Sequence, residues 1–546
     1  MAIFGLFDIG KTTILANRNA LSVVGHNIAN ASTPGYTRQS VSLASVPSGD
    51  VVGATATGRG VKIADITRMY DSFTTLQLRS EKSNFAYWDA YEQGMTKIEN
   101  IFNEANENGI SDAITNFFSS WQVVSQNPEQ LASRSTLIKN AEYLSSRVSS
   151  AYADLDNERY EIFKNSEIKI NEVNQITKEI AELNQKISVA PNANDLKDQR
   201  DSLLEQLNGI VKVSTFEDAS GMYSVLVGGT PVVDGGTQFD LRVRTDTQAN
   251  DYKMVFEINL GGSYHDITSH ITGGELKAGV ELRDGNILDY MNKLNALAVN
   301  ISDSVNFYHK QGYGLDGSTG VDFFTNTTSI TDASVSGSVT SVSITNATTY
   351  GANATKQYQV DYIDNATYGG LAPAQQAEYQ QEGASGIYWR VQESVDNGTT
   401  WSAISTANVT ITADTTANPD YRTLGFNGIT VRVDGDQANI AGDASGSFDV
   451  AINRNAARNM SVAISDTSKV AAAQDNTMLP GDNRNALVMA DLINQKFVAG
   501  TTPIDFYRSV ISDVGVEAQS ASKYATFYST MLEQLENKRQ ELSGVS

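Results

Sequence analysis

Proton transfer and metal binding near neutral pH fall first to histidine, and the chain holds four: His26, His265, His270 and His309. They are scattered over three predicted elements. His265 and His270 stand five apart, whereas a zinc-binding helical pair needs a spacing of four and an adjoining glutamate. His26, between Gly25 and Asn27, has no nucleophile tied to it and reads as an interface hydrogen-bonding residue rather than a base. The loop from Gly312 through Gly314 and Asp316 to Gly317 lacks the carboxylate spacing of a calcium loop. Asp434, Gly435, Asp436 and Asp443 are equally incomplete, and both read as turns. Gly228-Gly229 and Gly235-Gly236 are not followed by a helix with Lys-Ser/Thr, so a phosphate cradle is unsupported. Carboxylates are numerous, but spacing alone does not set two of them across a cleft. With no cysteine there is neither a disulfide framework nor a thiolate metal site. The residues predict no catalytic set, no metal and no cofactor.

What the spacing does predict is packing. Near the N-terminus Phe7, Gly10, Ile14, Asn17, Leu21, Val24 and Ile28 recur at three-four spacing, which places them on one helical face. Near the C-terminus the same rhythm runs through Ile504, Tyr507, Ile511, Val514, Ala518, Ala521, Ala525, Tyr528, Leu532, Leu535, Arg539 and Leu542. The second seam corresponds to a rod of about 55 to 60 Å. Asn17 and Arg539 interrupt the apolar seams, as polar residues that set register do. An intramolecular helix pair is the plain alternative to packing against partners.

At 546 residues the chain should form about three or four domains. Its 63 acidic against 40 basic residues give a formal charge of -23, which opposes binding to nucleic acid or to an anionic membrane. No stretch reaches membrane-spanning length. The opening residues lack the basic and apolar regions of a secretory signal peptide, so an extracellular role would need export without a cleaved leader.

The predicted fold class is α+β and multidomain: a long coiled-coil-like helical rod from both terminal regions, with inserted antiparallel β domains. An axial helix occupies 1–35, ended by Ser32, Thr33, Pro34 and Gly35. The N-terminal part of the helical rod covers 36–215. It opens with short extended segments around Gly49, Gly53, Gly58 and Gly60, and one long helix or two over 130–190 stop at Pro191. A first β domain spans 216–273, and 274–325 return to the scaffold as a helix to about Lys310 and a loop. Residues 326–448, rich in Thr, Ser, Asn and Gly, read as an inserted outer β domain. A connecting segment, 449–482, leads to the C-terminal rod helices of 483–546.

The run Ala20-Leu-Ser-Val-Val-Gly-His-Asn-Ile-Ala-Asn-Ala-Ser-Thr-Pro-Gly-Tyr-Thr-Arg38 closely resembles the N-terminal signature of bacterial flagellar rod, hook and hook-associated axial proteins. Asn194 to Asp201, Gly312 to Phe324 and Gly481 to Leu487 are similar to stretches of the hook-associated branch. The resemblance implies a structural subunit at the junction of hook and filament, without catalysis, exported through the flagellar type III apparatus and assembled as a ring of identical copies. Its implied partners are itself, the hook protein and the next hook-associated junction protein. Phe7, Ile14, Leu21, Val24 and Ile28 would make axial contacts, with Tyr528, Leu532 and Leu535 as the C-terminal packing face. Asn27, Asn30, Pro34, Gly35 and Tyr36 would form the signature turn. The family continues past the position of Ser546 with an acidic segment and a final amphipathic helix. The C-terminal rod therefore reads as truncated, and the export-chaperone contact expected near that end is in doubt.

Three other readings compete. One is a hook or rod protein of the same axial family. Another is a secreted adhesin using the outer β domain to bind glycans, motivated by Tyr379, Tyr388 and Trp389. A secreted hydrolase is the third, and it has no site to point to.

Overall fold

A computed structural model describes residues 2–33, 35–46, 60–103, 109–190, 192–246, 252–325, 339–344, 357–381, 387–394, 400–413, 421–427, 429–434, 445–450 and 455–544. Pro34, Gly49, Gly53, Gly58, Pro191, Gly435, Asp436 and Asp443, read above as turn or breaker residues, lie outside these. So does much of 326–448. The fold is α+β, with long helices and several antiparallel sheets. The chain divides into two compact units, one of residues 1–97, 159–286 and 516–546, the other of 98–158 and 287–515.

The first unit opens with helix α1 (Ala2–Ala29), followed by a hairpin of β1 (Gln39–Ser45) and β2 (Val61–Arg68). Gly60, at φ +105°, lets the return strand approach α1 closely. A Cβ there would run into the Thr12 hydroxyl and lie 3.2 Å from Ile9 Cα. The start of α2 (Ser72–Ile101) and the end of α4 (Leu131–Val189) also belong to this unit. So does α5 (Asn194–Ile210). Two sheets complete it. One has four strands: β3 (Val213–Glu217), β4 (Tyr223–Val227), β5 (Thr230–Asp234) and β6 (Thr237–Gln238). The other has three: β7 (Leu241–Thr245), β8 (Met254–Leu260) and β9 (Ser263–Asp266). Their shared core joins Val173, Ile176 and Ile180 of α4 and Leu204 and Leu207 of α5 to Val225, Val233 and Phe256 of the strands. Each such side chain contributes roughly 1.5–3 kcal/mol by leaving water.

The spacing predicts one helix over 274–310, but the structure breaks it. Helix α6 (Glu275–Glu281) passes through a π-helical turn, Leu282–Asn286, into α7 (Ile287–His309). In that wide turn Asp284 accepts the Met254 N–H at 2.7 Å and Arg283 donates to the Tyr252 carbonyl at 2.9 Å. Hydrogen bonds to β8 and its approach thus override the helical register.

The second unit holds α3 (Ile110–Gln126), the first part of α4, α7, α8 (Arg484–Asp491) and the start of α9 (Pro503–Ser543). Phe117, Phe118, Trp121, Phe323 and Phe324 form an aromatic core with ring centroids 4.9–5.8 Å apart. His309 is buried beside it. Its Nε2 accepts the Ala471 N–H at 2.9 Å and its Nδ1 lies 2.7 Å from the Val321 carbonyl. That leaves Nδ1 as the donor of a neutral ring, and burial pulls the pKa down to about 4. The motif Gly481–Leu487 is likewise structural. Asp482 accepts the Gln474 and Asp475 N–H groups and pairs with Arg484, while Asn483 and Asn485 donate to the carbonyls of Ser125 and Ala471.

Between α7 and α8 lie two further antiparallel sheets. In one, β10 (Gln357–Asp364) is flanked by β11 (Ile387–Ser394) and β15 (Ser445–Val450). In the other, β13 (Tyr421–Phe426) is flanked by β12 (Thr410–Ala413) and β14 (Ile429–Asp434). Trp389 is buried and pairs across the strands with Tyr362, while Tyr388 is buried and stacks on Tyr368 at 3.7 Å. Neither offers the flat exposed face on which a sugar would stack.

Candidate functional site

The signature residues draw together at the C-terminal end of α1. Asn27 is 6% exposed, and its amide makes three bonds: Oδ1 accepts the Tyr36 hydroxyl at 2.7 Å and the Gln39 N–H at 2.9 Å, and Nδ2 donates to the Gln39 carbonyl at 2.9 Å. One side chain therefore reproduces the bonding of a strand neighbour for Gln39, the first residue of β1. His26 Nδ1 lies 3.0 Å from the Tyr36 hydroxyl, Asn30 donates to the His26 carbonyl at 3.0 Å, and Thr33 donates to Asn30 Oδ1 at 3.2 Å. Burial, then the charges of Asp195 and Asp198, raise the Tyr36 phenol and keep it protonated as the donor to Asn27. Gly35 takes φ +77°, a conformation that costs glycine no strain, with Ser202 3.4 Å from where a Cβ would stand.

Helix α5 holds this turn in place. Asp195, Asp198 and Asp201, spaced by three, align on one side of its first two turns, where the helix dipole favours carboxylates. Gln39 Nε2 donates to Asp195 at 2.8 Å, the Thr37 N–H to Asp198 at 3.0 Å, and Asn194 to the Ile66 carbonyl at 2.8 Å. Beneath them Arg68 bridges Asp198 at 2.7 Å and Asp201 at 2.8 Å, and Arg79 adds a bond to Asp201 at 2.7 Å. All four side chains are at most 10% exposed. Burial lowers the tendency of Arg68 to stay charged, but Asp201 and its bonds to both carboxylates outweigh that and raise its pKa. The Asp198 carboxyl is raised by the same burial, with Arg68 and the Thr37 N–H pulling against it. The C-terminal helix is clipped to the same place. Arg539 pairs with Glu205 at 2.6 Å, and the Arg38 N–H donates to the Ser543 carbonyl at 2.9 Å.

Two cavities flank the turn. One, of 590 Å³, lies among the end of α1, the end of α4 and α5. The other, of 620 Å³, lies among α5, the start of α2 and the end of α9. In the first, His26 Nε2 lies 3.6 Å from Asp195; in the second, the Thr74 hydroxyl donates to Asp71 at 2.7 Å; no cluster of metal-ligating residues occurs among the described residues.

The two seams end differently. Phe7 is 78% exposed, Ile14 70%, Leu21 75%, Val24 54% and Ile28 67%, while the face turned inward carries Ala16, Val23 and Asn27. On α9 the seam is turned into the chain: Tyr507, Val514, Ala521, Ala525 and Leu535 are buried, and Tyr528 and Leu532 are partly so. Tyr524 stacks on Trp88 at 4.4 Å. The signature turn thus assembles around Asn27, Asn30, Gly35 and Tyr36. Sequence reasoning did not find Arg68, Arg79 and the role of the three aspartates. The spacing of those aspartates at the start of a predicted helix was the available signal.

Comparison with known proteins adds the following. The family described as flagellar hook-associated protein FlgK helical domain matches residues 95–324, and the flagella basal body rod protein family matches residues 7–37. Flagellar hook-associated protein 1 of Salmonella typhimurium is 28% identical over 99% of this chain and 93% of its own length. That of Escherichia coli is 26% identical over the same shares, and that of Bacillus subtilis is 23% identical over 58% of this chain. The solved flagellar hook junction protein FlgK from Burkholderia pseudomallei shares the fold, with a TM-score of 0.65, 18% identity, and coverage of 86% of this chain and 100% of that one.

Proposed function

Because the chain belongs with the flagellar hook-associated proteins and is a structural component of the flagellum, we propose that it joins hook to filament as a ring of identical copies, packed through its terminal helices. The observation that supports this most is the exposed seam of α1. A helix whose inward face is anchored by Asn27 leaves five large apolar side chains in water, and each stabilises an assembly by roughly 1.5–3 kcal/mol when a neighbour covers it. Phe7, Ile14, Leu21, Val24 and Ile28 make the axial contact in this reading. Asn27, Asn30, Gly35 and Tyr36 fix the angle at which α1 leaves the hairpin, and Tyr528, Leu532 and Leu535 hold α9 in its place. The hook protein and the next junction protein are its neighbours along the axis, the location is extracellular, and export needs no cleaved leader. Catalysis has no part in it.

The test is complementation of a strain lacking the gene. Leu21→Asp combined with Ile28→Asp is expected to leave the protein folded and exported while filaments detach. Filaments attached as firmly as with the unaltered chain would refute the assignment. A glycan-binding role for the outer sheets has less support, since Tyr388 and Trp389 are buried.

A further inference from the structure

The exposed face of α1 carries charge as well as apolar area. Lys11 and Arg18, one heptad apart, flank Phe7, Ile14 and Leu21, and both are exposed with no ion pair or side-chain hydrogen bond among the described residues. They belong to a cationic end of an acidic molecule. Residues 1–70 contain six Lys and Arg against three Asp and no Glu, in a chain whose formal charge is -23.

The counter-surface is present in the same unit. The 590 Å³ cavity beside the signature turn has Leu183 and Leu203 in its lining and carries Glu179, Glu182 and Asp195, with Lys186 the only lysine or arginine among its lining residues; Asp195 is already engaged by Gln39 Nε2 at 2.8 Å and lies 3.6 Å from His26. Glu182 is exposed and makes no ion pair among the described residues. Asp198, also in the lining, is already neutralised by Arg68. An apolar floor with an acidic rim is the complement of an apolar stripe with a cationic flank.

A molecule cannot bring Lys11 and Arg18 of its own α1 to this cavity. His26 of the same helix lines the cavity, and Arg18 and Lys11 lie eight and fifteen residues upstream, about 12 and 22 Å along the axis. The cations that fit must come from another chain. We propose that the cavity receives the Lys11–Arg18 flank of α1 from a second copy, so that Glu179 and Glu182 set the register in which neighbouring copies meet. This rests on the assembly reading above and adds to it a specific pairing.

Because the chain has no cysteine, the pairing is open to direct trapping. Arg18→Cys combined with Glu182→Cys, in the full-length chain expressed in a strain lacking the gene, is treated with a short bis-maleimide on isolated flagella. Covalent multimers are expected from the double variant and from neither single variant. Charge reversal gives a second readout: Glu179→Lys with Glu182→Lys should reduce attached filaments at least tenfold, and adding Lys11→Glu with Arg18→Glu should restore them. Lys11→Cys with Glu179→Cys serves if the first pair impairs export. Attached filaments that yield only monomer with both cysteine pairs overturn the pairing, as does full attachment by the Glu179→Lys, Glu182→Lys chain. Either result leaves the ring itself standing, which fails only if the Leu21→Asp, Ile28→Asp chain still anchors filaments.

Discussion

At the scale of single residues, Asn27 and the Arg68 cluster fix where α1 points. Asn27→Ala removes three hydrogen bonds and strands the Gln39 N–H and carbonyl, which should cost about 2–3 kcal/mol locally. Hydrogen exchange is expected to show faster opening of β1 and the end of α1 while the amides of β8 are unchanged. Asn27→Asp should be little better, since a carboxylate cannot donate to the Gln39 carbonyl. Arg68→Met leaves Asp198 and Asp201 buried with less cationic compensation, a loss on the order of 3–5 kcal/mol. Its pH dependence has a definite sign. Asp198 is already raised by burial, and without Arg68 it rises further, so the native state holds a proton that the unfolded chain releases. Stability of the variant should therefore fall as pH rises above the ordinary aspartate range, and its melting temperature should recover part of the deficit at pH 4–5. Equal deficits at pH 4.5 and 8 would show that Arg68 does not act through these carboxylates.

At the scale of elements, two seams with the same spacing have opposite outcomes. Leu21 and Leu535 occupy equivalent positions in their patterns, yet one is 75% exposed and the other 7%. Leu535→Ala should lower the stability of the isolated protein by roughly 2–3 kcal/mol. Leu21→Asp with Ile28→Asp should change it by less than about 0.5 kcal/mol. Chemical denaturation of the two proteins measures the contrast, and a large loss for the α1 variant would mean that its seam is already covered within the chain. This is also where legibility in the sequence ends. Periodicity located α1, α4 and α9, because an apolar stripe is written in one segment. It did not say whether a stripe meets its own chain or another, because the partner is written elsewhere. The π turn at Leu282–Asn286 was invisible for a related reason, since it answers to β8. Asn27, Asn30, Gly35 and Tyr36 were legible as a turn, but Arg68 and Arg79, more than a hundred residues from the aspartates they hold, were not.

At the scale of the molecule, His309 is neutral, buried and spent on two backbone groups. In the proposed assembly the work of the chain falls to surface left uncovered, five apolar side chains on α1. The central claim is that neighbouring copies cover that stripe, and one measurement bears on it most directly. In a chain that otherwise lacks cysteine, Leu21→Cys is exposed to a maleimide dye both as purified protein and within intact flagella. The account predicts rapid labelling of the free protein and protection of at least tenfold after assembly; equal labelling in both states would contradict it.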